Sequence, residues 1–71
     1  MQVVDKGECV LGGYSGQPFM VRIIRINRKL RLQSKGLKDR SWLDQTTYED
    51  TPANLTRLRR AYKRVHWQGV S

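Results

Sequence analysis

The side chains that could carry out acid–base or covalent chemistry are few in this 71-residue chain. It has one histidine, His66, one cysteine, Cys9, and six carboxylates scattered along its length. A catalytic triad needs a nucleophile, a base and an orienting group, and a zinc site needs His or Cys ligands at short spacing. Neither pattern is present. The sequence therefore predicts a protein that is not an enzyme, with no metal site and no cofactor.

Basic side chains are the abundant chemical groups. Fourteen Lys and Arg residues against six Asp and Glu residues give a formal net charge of +8. This excess is larger than solubility requires and indicates a polyanionic partner. We expect nucleic acid, with DNA ahead of RNA, and an acidic protein surface is the alternative. A membrane is not expected, because no apolar run approaches the roughly 18 residues of a spanning helix.

The charge is segregated along the chain. Residues 20–40 carry eight basic side chains and one acid. Residues 41–50, the acidic block, carry three acids and no base, and residues 51–71 carry five bases and no acid. A chain that needed only solubility would mix the signs more evenly. We therefore expect the binding side chains to lie in these two basic blocks.

The first basic block has the pattern of a β-hairpin. FMVRIIRI (19–26) is rich in β-branched residues, and KLRLQS (29–34) begins with strict polar–apolar alternation. Between them Asn27 and Arg28 predict a two-residue turn, since Asn tolerates left-handed backbone angles. This register predicts a core face of Phe19, Val21, Ile23, Leu30 and Leu32. It predicts a mixed, exposed face of Met20, Arg22, Ile24, Ile26, Lys29, Arg31 and Gln33.

The second basic block lies in TPANLTRLRRAYKRVHW (51–67), which predicts a helix. Thr51 can cap it and Pro52 suits the first helical position. Leu55, Leu58, Tyr62 and Val65 fall on one helical face, and Gly69 offers a stop.

Two further strands are expected, at residues 8–14 and 41–47. Together the elements predict an α+β fold in one domain spanning residues 1–71. It consists of a small antiparallel sheet of three to four strands with one C-terminal α-helix. A lone cysteine excludes an internal disulfide and suits the cytoplasm, and the first residues lack a signal-peptide pattern. Because so short a chain buries only a thin core, both a monomer and a homodimer remain open.

Two cationic surfaces are the candidate nucleic-acid-binding sites. The sheet and its hairpin carry Arg22, Arg25, Arg28, Lys29 and Arg31. The helix side opposite the apolar stripe carries Arg57, Arg60 and Arg64. Arginine forks onto phosphate oxygens, and few side chains suited to base reading lie beside these cations. Binding is therefore expected to be mainly to phosphates.

The aromatic and aliphatic candidates leave alternatives open. Trp67 could stack on a base or cover the core. Trp42 and Tyr48, which lie near the two ends of the acidic block, are expected to be structural. If the partner is instead an acidic protein surface, the exposed Ile24 and Ile26 would be its main contacts, with the arginines steering approach.

The order of elements resembles small SH3-like barrels of the tudor and chromo type. KGECVLGGYSGQPFMVRIIRINRKLRLQSKG looks like their opening strands. SWLDQTTYEDTPANLTRLRRAY is similar to the chromo-type ending, in which a strand with Trp leads into a Pro-started C-terminal helix. The resemblance covers residues 7–65 and implies an SH3-like partial barrel that binds nucleic acid, modified peptides or proteins.

The same pattern is also similar to the three-stranded sheet plus helix in the DNA-binding domains of some integrases. There the sheet enters the major groove, which would make the hairpin cations the readers. An aromatic cage for methylated lysine would need three convergent aromatics, which the sequence does not place. The size and charge suggest a small regulatory or accessory factor, of the kind encoded by phages or mobile elements.

Overall fold

A computed structural model describes residues 1–9, 18–61 and 65–69 of the chain. The elements in chain order are β1 (Gln2–Cys9), β2 (Phe19–Ile26), β3 (Lys29–Gly36), β4 (Leu43–Glu49), α1 (Pro52–Ala61) and β5 (His66–Trp67). The strands form one antiparallel sheet in the order β4-β3-β2-β1-β5. The α+β prediction is confirmed in this broad form. The described residues give five strands rather than three to four, and α1 is followed by β5 rather than ending the fold.

The β2–β3 hairpin has the register that the sequence predicts. Ile26 pairs with Lys29, Ile24 with Arg31, and Arg22 with Gln33. The two turn residues, Asn27 and Arg28, have φ angles of 52° and 61°. Two consecutive left-handed residues match the right-handed twist of the flanking strands, which is why this turn fixes the register.

One face of the sheet, the inner face, holds the main core. Ile23, Leu30 and Leu32 are fully buried there and pack with Val4 of β1 and Leu58 of α1. Burying each such side chain stabilises the fold by about 1.5–3 kcal/mol. The helix therefore lies against the inner face, and the core face predicted for the hairpin is confirmed.

The opposite face of the sheet is called the outer face. Cross-strand pairing places on it Val3, Lys6, Glu8, Met20, Arg22, Ile24, Ile26, Lys29, Arg31, Gln33 and Lys35. Ile24 is only 1% exposed, so its prediction as an exposed contact is wrong, whereas Ile26 is half-buried. The prediction treated the hairpin as two isolated strands. In the sheet, β2 is the central strand, and Ile24 lies between its partners Val3 and Arg31.

β1 starts at Gln2, well before the strand predicted at residues 8–14, of which residues 10–14 lie outside the described chain. Its register shifts between Val3 and Asp5, so that Val4 and Asp5 are both buried. Such a bulge interrupts the two-residue period. The interruption, together with an acid inside the strand, is why the alternation pattern did not reveal β1.

The start of the helix is as predicted. The backbone N–H of Asn54 donates to Thr51 Oγ1 at 3.2 Å, and Pro52 is the first helical residue. α1 ends at Ala61, earlier than the apolar stripe implied. Val65 is buried in a second cluster with Cys9 and Val21, while Tyr62 lies outside the described residues.

The chain beyond α1 returns to the sheet. β5 pairs with β1 at Gly7 and Glu8. Gly69, expected as the helix stop, has a φ of 73° and comes after β5 instead. In the described parts of the chain, no helix combines the length and the apolar character needed to cross a bilayer.

Candidate functional site

The outer face divides into two halves that differ in how their cations are paired. The hairpin half contains Lys29 and Arg31 of β3. The tryptophan half contains Lys6, Arg22, Lys35 and the exposed carboxylate Glu8, together with Trp42, which directly precedes β4.

In the hairpin half, acids from β4 hold the cations. Lys29 forms an ion pair with Glu49, and Arg31 Nη1 lies 3.6 Å from Asp44 Oδ2. The Arg31 Nε atom is buried without a hydrogen-bond partner in the described structure. Partly exposed pairs of this kind contribute little stability. They nevertheless place a carboxylate where a phosphate would have to bind.

Arg25 and Arg28, the other cations predicted for the hairpin, are arranged differently. Arg25 Nε is 2.6 Å from Asp50 Oδ2, and its Nη1 donates to Gln2 Oε1 at 2.9 Å. Arg28 is exposed at the turn, with no acid paired to it among the described residues. Arg25 is therefore neutralised, and Arg28 is an isolated charge at the tip.

In the tryptophan half, the cations lie on an aromatic ring instead of an acid. Arg22 Cζ is 4.3 Å and Lys35 Nζ is 5.0 Å from the centroid of the Trp42 ring. A cation over an indole face is attracted by the ring quadrupole while its charge stays available to other anions. The side chains of Arg22, Lys35 and Lys6 are ion-paired with no carboxylate in the described structure.

Arg22 is fixed in place by a second contact. Its Nε donates to Gln33 Oε1 at 2.8 Å, and Gln33 Nε2 donates in turn to Asp44 Oδ1 at 2.7 Å. Partial burial removes water from the guanidinium and lowers the pKa of Arg22 from its ordinary value. Because the ordinary pKa of arginine lies far above 7, Arg22 still carries its positive charge at neutral pH.

A hollow of about 290 Å³ opens beside the tryptophan. It is lined by Val3, Lys6, Met20, Arg22 and Trp42. Three of these side chains are apolar and two are cationic, a combination that suits a flat, partly apolar group attached to an anion. The volume is at the lower limit of typical ligand pockets, which favours one small ring system over a larger ligand.

The loop between β3 and β4 positions Trp42. Asp39 accepts a hydrogen bond from the Gly36 N–H at 3.0 Å and donates its own N–H to the Gly36 carbonyl at 3.1 Å. This tight turn ends β3 and redirects the chain toward β4. Lys38 and Arg40 are exposed on the same loop, which adds positive charge at this end of the sheet.

The predicted helix cations lie elsewhere. The Arg57 guanidinium is 5.7 Å from the Tyr48 ring, Arg60 is exposed, and Arg64 lies outside the described residues. Since α1 packs on the inner face, its exposed side and the outer face point in opposite directions. A single straight nucleic-acid segment therefore cannot contact both surfaces at once.

Trp67, the residue predicted to stack on a base or cover the core, is half-buried. It packs against both core clusters, and its indole N–H donates to the Arg59 carbonyl at 3.1 Å. Both its ring and its polar group are used within the fold. These contacts favour the core-covering interpretation.

Sequence reasoning did not single out Trp42, Lys35 or Lys6 for the candidate site. Lys35 could have been found by continuing the β3 alternation, since it pairs with Met20 on the face that carries Arg22. Lys6 was hidden by the bulge in β1. Trp42 lies in a loop, where no periodicity reports the direction of a side chain.

No set of three His, Cys, Asp or Glu side chains within residues 1–9, 18–61 and 65–69 is grouped closely enough to hold a metal ion. Comparisons of the chain with protein-family models, with curated proteins and with solved structures found no match. The arguments for function therefore rest on the geometry of the outer face.

Proposed function

We propose that this protein binds nucleic acid through the tryptophan half of the outer face, chiefly by contacts to phosphates. The observation that carries the proposal is the placement of Arg22 and Lys35 on the Trp42 ring, with neither cation paired to an acid in the described structure. Cations held beside an aromatic platform are the combination that nucleic-acid-binding surfaces use. The net charge of +8 would steer a polyanion toward the protein.

Docking on an acidic protein surface was the competing hypothesis, and it has less support. It depended on Ile24 as an exposed hot spot, and Ile24 is 1% exposed. Half-buried Ile26 alone offers little apolar area for a protein interface, whose binding energy usually comes from well-packed central anchors.

We also propose that the sheet is an SH3-like partial barrel serving a small cytoplasmic regulatory factor. The strand order β4-β3-β2-β1-β5, with α1 between β4 and β5, supports the barrel assignment. β1 pairs with both β2 and β5, which leaves β4 and β5 as the two edge strands of the sheet.

Fluorescence anisotropy with a labelled oligonucleotide, in single-stranded and duplex form, tests the binding proposal. If Lys6, Arg22 and Lys35 each release about one counterion from a duplex, the affinity should fall about fortyfold when salt rises from about 50 to 200 mM. Absence of binding to both forms at the lower salt concentration would refute the proposal.

A further inference from the structure

We infer that the hollow beside Trp42 receives one unpaired base, so that the target is single-stranded nucleic acid. This inference rests on the proposed function and specifies its substrate class. It replaces the expectation that the hairpin enters the groove of a duplex.

The lining of the hollow carries the inference. Val3, Met20 and Trp42 provide apolar and aromatic surface, and Arg22 and Lys6 provide positive charge in the same space. A nucleotide joins a flat ring to a phosphate, so it can use both kinds of surface at once. Aromatic rings and guanidinium planes are the groups on which unpaired bases stack.

A duplex cannot use this site in the same way. Its bases are stacked on one another, and only their edges reach the grooves, so no base face is free to meet Trp42 or Arg22. A base enters a pocket only after it leaves the stack, which costs a duplex several kcal/mol and costs a single strand far less. The hollow therefore favours a single strand over a duplex.

The surrounding charges suit a strand that continues past the hollow. Lys35 lies on the Trp42 ring, and the exposed residues Lys38 and Arg40 belong to the β3–β4 loop that contains Trp42. A strand with one base in the hollow would pass these cations with its neighbouring phosphates. The hairpin half offers no comparable path, because its cations Lys29 and Arg31 are engaged by Glu49 and Asp44.

The decisive experiment compares three probes of about 12 nucleotides, within the usual site size of one small β-domain. They are a mixed-sequence single strand, its duplex, and a single strand in which abasic sites replace the bases but all phosphates remain. Wild-type protein should bind the single strand about tenfold more tightly than either other probe, since only that probe offers a free base.

Two variants locate the effect. Trp42→Leu should lower the affinity for the single strand about tenfold more than it lowers the affinities for the duplex and the abasic strand. Trp42→Phe keeps an aromatic ring and should retain most of the preference. Trp67→Phe is the matched control at the other tryptophan and should fully preserve the preference for the single strand. Circular dichroism verifies that each variant is folded.

The outcomes separate this inference from the proposed function. Equal wild-type affinity for all three probes would overturn the inference and leave phosphate binding intact. No binding to any probe would overturn both. The wild-type probe comparison decides the question even if Trp42→Leu fails to fold.

Discussion

The two halves of the outer face carry similar numbers of cations but differ in what those cations contact. In the hairpin half, Lys29 and Arg31 are held by Glu49 and Asp44. In the tryptophan half, Arg22 and Lys35 lie on the Trp42 ring. A cation bound to a carboxylate must exchange one anion for another to bind phosphate, whereas a cation on a ring keeps its charge available.

The difference shows what the acidic block does. Its three acids each pair with a cation of the first basic block: Asp44 with Arg31, Glu49 with Lys29, and Asp50 with Arg25. The charge segregation seen along the chain is therefore partly cancelled in space. If the protein binds a polyanion as proposed, we expect the local potential, and not the number of basic residues, to select the half that binds it.

The largest expected effect comes from neutralising the tryptophan half. Arg22→Gln combined with Lys35→Gln should lower nucleic-acid affinity about thirtyfold and reduce the salt slope by about two, since each lost phosphate contact removes about one released counterion. Salt-dependent anisotropy titrations measure both quantities. The matched control, Lys29→Gln with Arg31→Gln, makes the same charge change in the hairpin half and should cost less than about threefold. Equal losses of affinity in the two double variants would show that the two halves of the outer face do not differ in binding.

The second prediction reverses the comparison by releasing the hairpin cations. Asp44→Asn combined with Glu49→Gln removes the acids that hold Arg31 and Lys29 while keeping similar side-chain shapes. Affinity should rise about tenfold and the salt slope should steepen, because the freed cations become available to phosphates. An unchanged affinity would show that pairing with acids is not what keeps Lys29 and Arg31 from binding nucleic acid. Thr47→Ser, an exposed change on the same strand, is a suitable control.

The third prediction contrasts the two tryptophans. Trp67→Phe removes the hydrogen bond to the Arg59 carbonyl and keeps an aromatic ring in the core. It should lower the free energy of unfolding by about 1 kcal/mol, the usual contribution of one such bond, without changing nucleic-acid affinity. Chemical denaturation measures the stability. A clear loss of binding would give Trp67 the stacking role that its burial argues against.

The smallest effect is expected at the tip of the hairpin. Arg28 adopts a φ of 61°, and a left-handed backbone costs a residue with a side chain about 1 kcal/mol, so Arg28→Gly should stabilise the fold by about 0.5 kcal/mol. The affinity for nucleic acid should stay within about twofold, because Arg28 lies away from Trp42. Thermal unfolding and anisotropy check the two statements. A marked loss of affinity would restore the hairpin tip as a binding site.

The parts of the fold that sequence could predict are those governed by local chemistry. β2, the turn at Asn27 and Arg28, the hairpin register and the helix cap at Thr51 all depend on neighbouring residues. β1 and β5 depend on partners far along the chain, and a bulge disrupts the period of β1. Ile24 was misplaced for the same reason, since its burial comes from β1, which the hairpin pattern does not include.

The candidate site was less predictable than the fold. Composition drew attention to basic residues such as Arg22, which lies on the outer face. Composition could not show that Arg25, Lys29 and Arg31 would meet acids. The sequence left Trp67 open between stacking and covering the core and indicated a structural role for Trp42, because a residue near a helix end and a residue in a loop give no signal of what will surround them.

The buried carboxylate of Asp5 has a consequence for the order of folding. It is 0% exposed, accepts a hydrogen bond from Arg59 Nε at 2.7 Å and another from the Gly69 N–H at 2.8 Å. These partners lie 54 and 64 positions later in the sequence, so the chain must be synthesised as far as Gly69 before both of them can reach Asp5. Contacts between such distant residues slow folding, because a long loop must close first. We expect the hairpin to form early, and β1 to be secured last, when the helix and β5 arrive together.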